Sequence, residues 1–147
     1  MTQMKIVTRD FGTVEVPSDR IITFPKGIFA FEDSKTFVLL SPLGDEIYPM
    51  WLQSSENAQP CFIVYEPTAI VKNYKPDIAE TDLKTISYEK GDELELLVIS
   101  VIPDDYKETT VNLKSPIVVN KTKCLAAQVV LEEDFEIKFP IFTKGEK

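Results

Sequence analysis

Adjacent carboxylates are the residues of this sequence that could act as a general acid and base. They occur as Asp92-Glu93, Asp104-Asp105 and Glu132-Glu133-Asp134. Each group stands beside turn-forming residues, where water keeps all of its members ionised and gives them no separate acid and base roles. We therefore interpret all three groups as solvated turns, not as catalytic pairs.

The remaining reactive residue types also give no catalytic or metal-binding pattern. The chain has no His and two Cys, which excludes imidazole as a base, shuttle or ligand and makes a zinc site implausible. Neither a glycine-rich phosphate loop nor an acidic calcium loop is present. Cys61 and Cys124 lie in apolar runs, so we predict buried, inert thiols, a usage typical of a reducing cytoplasm. We predict a protein that binds others and has no enzymatic activity, cofactor or metal.

The charge is negative and unevenly distributed. The 147 residues include 24 acidic and 16 basic side chains, for a formal net charge of −8. Between Asp77 and Glu108 there are ten acidic and three basic residues. This charge disfavours direct contact with nucleic acid, which requires Lys and Arg at the phosphates. The segment fits either a basic protein partner or a solvated acidic surface.

Short apolar runs with period-2 alternation extend along the whole chain, separated by Pro, Gly, Asn and Asp. They predict a mostly β, single-domain antiparallel barrel or sandwich over residues 1–147, with one short helix starting near Asp77 and a frayed tail at 143–147. We find no secretory signal and no apolar run long enough to cross a membrane, so we expect a cytoplasmic protein. The predicted strands are Lys5–Thr8, Thr13–Val16, Arg20–Phe24, Thr36–Leu40, Met50–Gln53, Cys61–Glu66, Glu93–Ile102, Thr109–Leu113, Ile117–Asn120, Ala126–Leu131 and Glu136–Phe139.

The strand Glu93–Ile102 is the most informative of these. It begins as strict alternation, with Glu93 and Glu95 predicted to face water, and then becomes apolar on both faces towards Val101. This pattern is typical of a strand that starts at a rim and ends covered on both faces.

Several residues are candidates for binding a partner. The loop Phe24–Phe31 carries three aromatic residues around a Pro and a Gly, so it either plugs one end of the barrel or exposes Phe29 and Phe31 as a contact patch. Trp51 fits a core position or an interface anchor. Asn112 and Asn120 flank a strand, where their amides bond backbone groups or a partner. The full set of candidates is Phe29, Phe31, Trp51, Asp104, Asp105, Asn112 and Asn120.

Five stretches, in order through most of the chain, resemble the FliW family of flagellar assembly factors. In place of the Pro-Gly that usually follows Gly-Ile in the family's first motif, this chain has Phe29-Ala30. The stretches are Ile22-Thr23-Phe24-Pro25-Lys26-Gly27-Ile28 with Phe31-Glu32, Phe37-Val38-Leu39-Leu40, Trp51-Leu52-Gln53-Ser54, Thr110-Val111-Asn112-Leu113-Lys114-Ser115-Pro116-Ile117-Val118-Val119-Asn120 and Gln128-Val129-Val130-Leu131.

The resemblance implies a non-enzymatic, cytoplasmic β-barrel protein with two partners, flagellin and the RNA-binding translational repressor CsrA. Free protein would restrain CsrA and permit flagellin synthesis, and accumulating flagellin would capture the protein and release CsrA. The acidic surface would either cover the RNA-binding surface of CsrA or bind elsewhere on CsrA and alter its RNA affinity at a distance. The resemblance favours the second. Two other classes stay open from the residues: a small β-barrel enzyme or small-molecule carrier, and an OB-like nucleic-acid binder, which the charge disfavours.

Overall fold

Short strands form most of the structure, as the sequence pattern predicts. The computed structural model describes residues 3–44 and 48–142, and the tail predicted at 143–147 lies outside these ranges. Within them the secondary structure consists of β1 (Gln3–Val7), β2 (Thr13–Pro17), β3 (Ile22–Thr23), β4 (Thr36–Leu40), β5 (Met50–Ser54), β6 (Cys61–Tyr65), α1 (Glu80–Thr85), β7 (Leu94–Val101), β8 (Thr110–Val111), β9 (Ile117–Asn120), β10 (Leu125–Gln128) and β11 (Phe139–Pro140), with three short 3₁₀ turns.

Seven of these strands close into a barrel. Around the ring they follow the order β7, β6, β5, β4, β3, β10, β9, and β9 then pairs with β7 to complete the circle. Every pairing in the ring is antiparallel except β3 with β10, which run parallel at Thr23 and Leu125. The prediction of a mostly β, barrel-like fold is confirmed, and closure removes free strand edges from the ring.

The strands are covered on both faces by three apolar clusters. Side chains such as Phe37, Leu52 and Leu97 fill the barrel interior. A second cluster lies outside β7, β9 and β10, where Val98 packs with residues of α1 and of the loops that follow β6 and β10. The β1–β2 hairpin covers the outer face of β4 through a third cluster that includes Val38. A filled interior of this kind is expected for a small barrel.

The burial of β7 differs from the sequence prediction at its C-terminal end. Leu97 and Val98 in its middle are fully buried, on opposite faces. The C-terminal end is not covered, since Val101 is 64% exposed and Ile102 is 48% exposed. At the other end Glu95 turns towards the mouth of the barrel, where its carboxylate accepts a hydrogen bond from Tyr48 at 2.7 Å. The prediction that the strand ends covered on both faces is therefore wrong for its last residues.

The helix is shorter than predicted and starts later. Residues 77–79 are not helical, and the backbone N–H of Asp77 donates to the Glu133 carboxylate at 3.0 Å. No side chain caps α1, but Leu83 and Ile86 pack against the outer face of the barrel. Among the described residues no helix is long and apolar enough to span a membrane.

Candidate functional site: interaction surfaces of the barrel

The loop Phe24–Phe31 is both a plug and an exposed surface. Phe24 and Ile28 point into the barrel and are 0% and 1% exposed. Phe29 and Phe31 lie on the outside of the same loop, 47% and 43% exposed. The two alternatives left open by the sequence are thus divided among different residues of one loop.

Contacts with the barrel wall fix the outward aromatic residues. The backbone N–H of Phe29 donates to the Gln128 side-chain carbonyl at 3.0 Å, which ties the loop to β10. The Phe31 ring packs edge-to-face on Phe62, with ring centroids 5.4 Å apart. Phe29 is therefore the freer of the two and the better placed to meet a partner.

The backbone of this loop is left-handed at two positions. Gly27 has φ +70°, and a Cβ there would lie 2.6 Å from the Glu32 Cα, so only glycine fits. Ala30 has φ 72° although it carries a Cβ. Its N–H donates to the Glu32 carboxylate at 3.0 Å, which helps to hold it in this conformation.

Trp51 is half-buried on the outside of the barrel, so it is not a core residue. The turn between β1 and β2 covers it. The indole N–H donates to Asp10 at 2.8 Å, and Phe11 packs edge-to-face on the ring at 5.3 Å. The hydrogen bond from the Arg9 guanidinium holds the pKa of Asp10 below its usual range, and the bond from Trp51 adds to this effect. Trp51 thus anchors the hairpin, which leaves it only partly accessible to a partner.

The two asparagines bond backbone groups at strand ends. Asn112 is half-buried, and its carbonyl accepts the backbone N–H groups of Lys114 and Ser115. Asn120 is fully buried, and its amide donates to the Ile86 carbonyl at 3.1 Å and to Asp92 at 2.9 Å. The structure therefore places Asn120 out of reach of a protein partner.

Basic residues neutralise part of the acidic segment. Lys123 contacts both Glu89 and Asp92, and Lys121 lies 3.4 Å from Glu93. The hydrogen bond from the Asn120 amide is the main cause that lowers the pKa of Asp92. These carboxylates hold the β9–β10 turn against the loop before β7. Lysines of the same fold therefore neutralise most of their charge.

Asp104 and Asp105 differ, because both are exposed in the connection after β7. Asp105 accepts the backbone N–H of Lys107 at 3.1 Å and so caps a 3₁₀ turn. Within residues 3–44 and 48–142 neither aspartate forms an ion pair. The sequence prediction did not single out their apolar neighbours Ile102 and Tyr106, which are 48% and 60% exposed.

A cavity of about 290 Å³ opens at the end of the barrel opposite the plug. Apolar side chains that include Leu39 and Met50 form its floor, and its rim includes Asp19, Glu95 and Cys124. Two carboxylates thus face the cavity, and Glu95 is already bonded to Tyr48. The cavity lies at the mouth, whereas side chains fill the interior.

The two cysteines lie in different environments. Cys61 is buried, and burial is the main cause that raises the pKa of its thiol. Cys124 is only half-buried in the β9–β10 turn, where its φ is +55°. The prediction of a buried thiol is therefore wrong for Cys124. No group of three or more metal-ligating side chains comes together in the part of the chain that the structure describes.

These features define a small closed β-barrel protein with aromatic and acidic groups exposed on its surface. A sequence model of the FliW protein family matches residues 5–141. The chain therefore belongs to the FliW family of flagellar assembly factors.

Individual relatives agree with this assignment. The flagellar assembly factor FliW of Natranaerobius thermophilus is 37% identical over 142 residues, covering 95% of this chain and 93% of the relative. That of Bdellovibrio bacteriovorus is 39% identical, covering 96% of this chain and 81% of the relative. A crystal structure of the flagellar assembly factor FliW superposes with a TM-score of 0.87 at 31% identity, covering 97% and 99% of the two chains.

Proposed function

We propose that this protein is a non-enzymatic, cytoplasmic regulator that binds flagellin and, separately, the translational repressor CsrA. Free protein restrains CsrA, so flagellin is synthesised. Flagellin that accumulates captures the protein, and the released CsrA represses further synthesis. Membership of the FliW family over residues 5–141 carries the proposal, because that family acts in flagellar assembly.

Two exposed surfaces of different chemistry support a protein with two partners. Asp104 and Asp105 present negative charge that no ion pair of the described residues offsets, which suits an RNA-binding and therefore locally basic protein such as CsrA. Complementary charge of this kind can raise association rates by roughly 10–10³-fold. Phe29 and Phe31 present aromatic surface, and the neighbouring Glu32 carboxylate is bonded to the backbone of their own loop.

The aromatic surface suits flagellin. Family membership implies a flagellin partner whose ends are helical and poorly ordered before assembly, and we expect such a segment to bind either as an amphipathic helix with apolar anchors on one face or by adding a strand at an open edge. We assign no direct nucleic-acid contact to this protein, because its net charge of −8 opposes binding to phosphates. The protein therefore acts on RNA only through CsrA.

Titration calorimetry with purified CsrA and purified flagellin from the same bacterium tests the proposal. We expect a saturable complex with each partner, and we expect saturating flagellin to displace CsrA. Failure of the wild-type protein to bind either partner, or undisturbed binding of CsrA in the presence of flagellin, would refute the partner switch.

Changes in salt concentration and charge-reversal variants test the role of Asp104 and Asp105 in CsrA binding. Exposed charges are screened over about 10 Å at 0.1 M salt, so CsrA affinity should fall between about 50 and about 500 mM salt. The double variant Asp104→Lys, Asp105→Lys should weaken CsrA binding and leave the circular dichroism spectrum unchanged. Equal affinity for CsrA at both salt concentrations would show that the exposed acidic side chains do not contribute to CsrA binding.

The way in which CsrA is restrained can be decided with RNA present. Action at a distance requires a coupling free energy between two sites on CsrA and permits a ternary complex. We expect this protein, CsrA and an RNA target to elute together at high concentration, with weakened RNA affinity. Strict exclusion of RNA from the complex would instead indicate direct cover of the RNA-binding surface.

The mouth cavity favours a second candidate function, the binding of a small molecule. Its two carboxylates, Asp19 and Glu95, would orient a polar ligand above the apolar floor. Native mass spectrometry of the protein purified from its own cytoplasm should then show a retained compound. Alkylation of Cys124 at the rim should be slower in that sample than after unfolding and refolding, and equal rates with no added mass would eliminate this candidate.

A further inference from the structure

The ends of β7, β8 and β11 form a small sheet with one uncovered face. Val101 pairs with Thr110, which pairs with Pro140, so these three side chains lie in one row on the same face. The opposite face carries Val111 and Phe139, which pack into the outer apolar cluster. One side of this sheet is therefore core, and the side that carries Val101 is open to water.

Two aromatic residues pack together just beyond the strand ends of this sheet. The Tyr106 and Phe142 rings pack edge-to-face with centroids 5.7 Å apart, and the backbone N–H of Ile141 donates to the Thr109 carbonyl at 3.2 Å, which holds the two segments together. Tyr106 is 60% exposed and Phe142 is 39% exposed. We call the surface formed by Val101, Ile102, Tyr106 and Phe142 the strand-end patch.

The apolar character of β7 continues beyond the part of the strand that the fold covers. The apolar run extends from Leu96 to Ile99, is interrupted by Ser100, and resumes with Val101 and Ile102. Within the part of the chain that the structure describes, the last two stay largely exposed. Single exposed apolar residues are ordinary, but several at and just beyond the strand ends of one small sheet mark an interaction surface.

The charge beside the patch indicates what covers it. Asp104 and Asp105 lie between Ile102 and Tyr106 in the chain, and neither is paired with a cation in the described residues. The acids near β9 differ in this respect, since lysines of the β9–β10 turn neutralise them. A partner at this patch gains most when it places Lys or Arg beside an apolar side chain.

We infer that the strand-end patch is the docking surface for the basic partner, that is, for CsrA and not for flagellin. This inference rests on the proposed function. Tyr106 supplies an aromatic anchor at the centre of the contact, where such residues contribute most to affinity. Asp104 and Asp105 steer the basic partner and set the salt dependence of binding.

Three variants and one control test the inference by calorimetry against purified CsrA and purified flagellin. Tyr106→Ser and Val101→Thr remove apolar surface, and Val101→Thr keeps the β-branched shape that a strand favours. Asp104→Asn combined with Asp105→Asn removes charge, and the Asn side chain can still cap the 3₁₀ turn. The control, Phe29→Ser, alters the separate aromatic surface on the plug.

We expect Tyr106→Ser to weaken CsrA binding about tenfold or more at both low and high salt, as for an interface anchor. Val101→Thr should weaken it less, and the double Asn variant should weaken it mainly at low salt. All three should bind flagellin as the wild type does, and Phe29→Ser should bind CsrA unchanged. Thermal unfolding of each variant checks that the fold is intact. We expect little change in Tm, because all the altered side chains are exposed.

The possible failures are distinguishable. Absence of CsrA binding by the wild type would overturn the proposed function and the inference together. CsrA binding by the wild type with affinities within about twofold for every patch variant would overturn the inference alone. Loss of flagellin binding with retained CsrA binding would overturn the assignment of the partner to this surface.

Discussion

Ala30 is strained where it stands, and its replacement by glycine should stabilise the protein. Its φ of 72° lies in the left-handed region, which costs a residue with a Cβ roughly 1–2 kcal/mol. Glycine removes that strain but makes the unfolded chain more flexible, which costs about 0.5–1 kcal/mol. Ala30→Gly should therefore raise the free energy of unfolding by about 0.5–1 kcal/mol.

Two glycines of the same chain calibrate this prediction. Gly12 has φ +67° with no atom within 4 Å of where a Cβ would lie, so Gly12→Ala measures the same balance of backbone strain and chain flexibility without a steric overlap and should cost about 0.5–1 kcal/mol. Gly27 has φ +70° with Glu32 backbone atoms from 2.6 Å, so Gly27→Ala adds a steric overlap of roughly 1–3 kcal/mol to the same strain.

Urea unfolding followed by circular dichroism is the assay. For a domain of this size, 1 kcal/mol corresponds to about 2–4 °C in Tm, so thermal melts provide a second reading. Ala30→Gly should be more stable than the wild type, Gly12→Ala moderately less stable and Gly27→Ala the least stable. A destabilised Ala30→Gly variant, or equal losses for the two alanine variants, would refute the reasoning.

Three further predictions concern polar contacts. Tyr74→Phe should lower the free energy of unfolding by about 1 kcal/mol, because it leaves the Leu113 carbonyl without its hydrogen bond. Burial raises the pKa of Tyr74, so above about pH 10 the unfolded chain loses a proton that the folded chain keeps, and wild-type stability should fall. Urea midpoints measured across this pH range should fall less in the variant. Asn120→Ala should cost about 1–3 kcal/mol in urea unfolding, since it deletes buried hydrogen bonds, and a loss below about 0.5 kcal/mol would contradict this account. Acid should release the hairpin from Trp51 as pH falls through the lowered pKa of Asp10; the fluorescence of Trp51 should show this transition below the ordinary aspartate range, and Asp10→Ala should abolish it.

Local pattern was sufficient to predict the strands. The alternation of apolar and polar side chains records which face of a strand is buried, and Pro, Gly and Asp mark where the chain turns. Each of the eleven predicted strands overlaps an observed one. The start of α1 was predicted too early, and local sequence could not show that the backbone of Asp77 contacts Glu133, which is remote in sequence.

The candidate surfaces could be predicted only in part. Residue type and spacing indicated that the loop Phe24–Phe31 is unusual, and they placed Asp104 and Asp105 among the candidates for binding a partner. They could not divide the loop into a buried half and an exposed half, nor reveal that Trp51 lies beneath a hairpin turn. Tyr106 was not singled out, because an isolated tyrosine after a turn carries no signal until its neighbours in space are known.

The sequence by itself determined the strand content, the lack of histidine chemistry and the excess of negative charge, since each of these is a property of residue types or of near neighbours along the chain. The tertiary structure decided which apolar side chains remain exposed and which carboxylates are neutralised. Val101 and Asp104 remain exposed at and just after the end of β7, and Glu89 and Asp92 owe their neutralisation to Lys123. Burial and pairing depend on contacts between residues far apart in the chain, which only the closed barrel brings together.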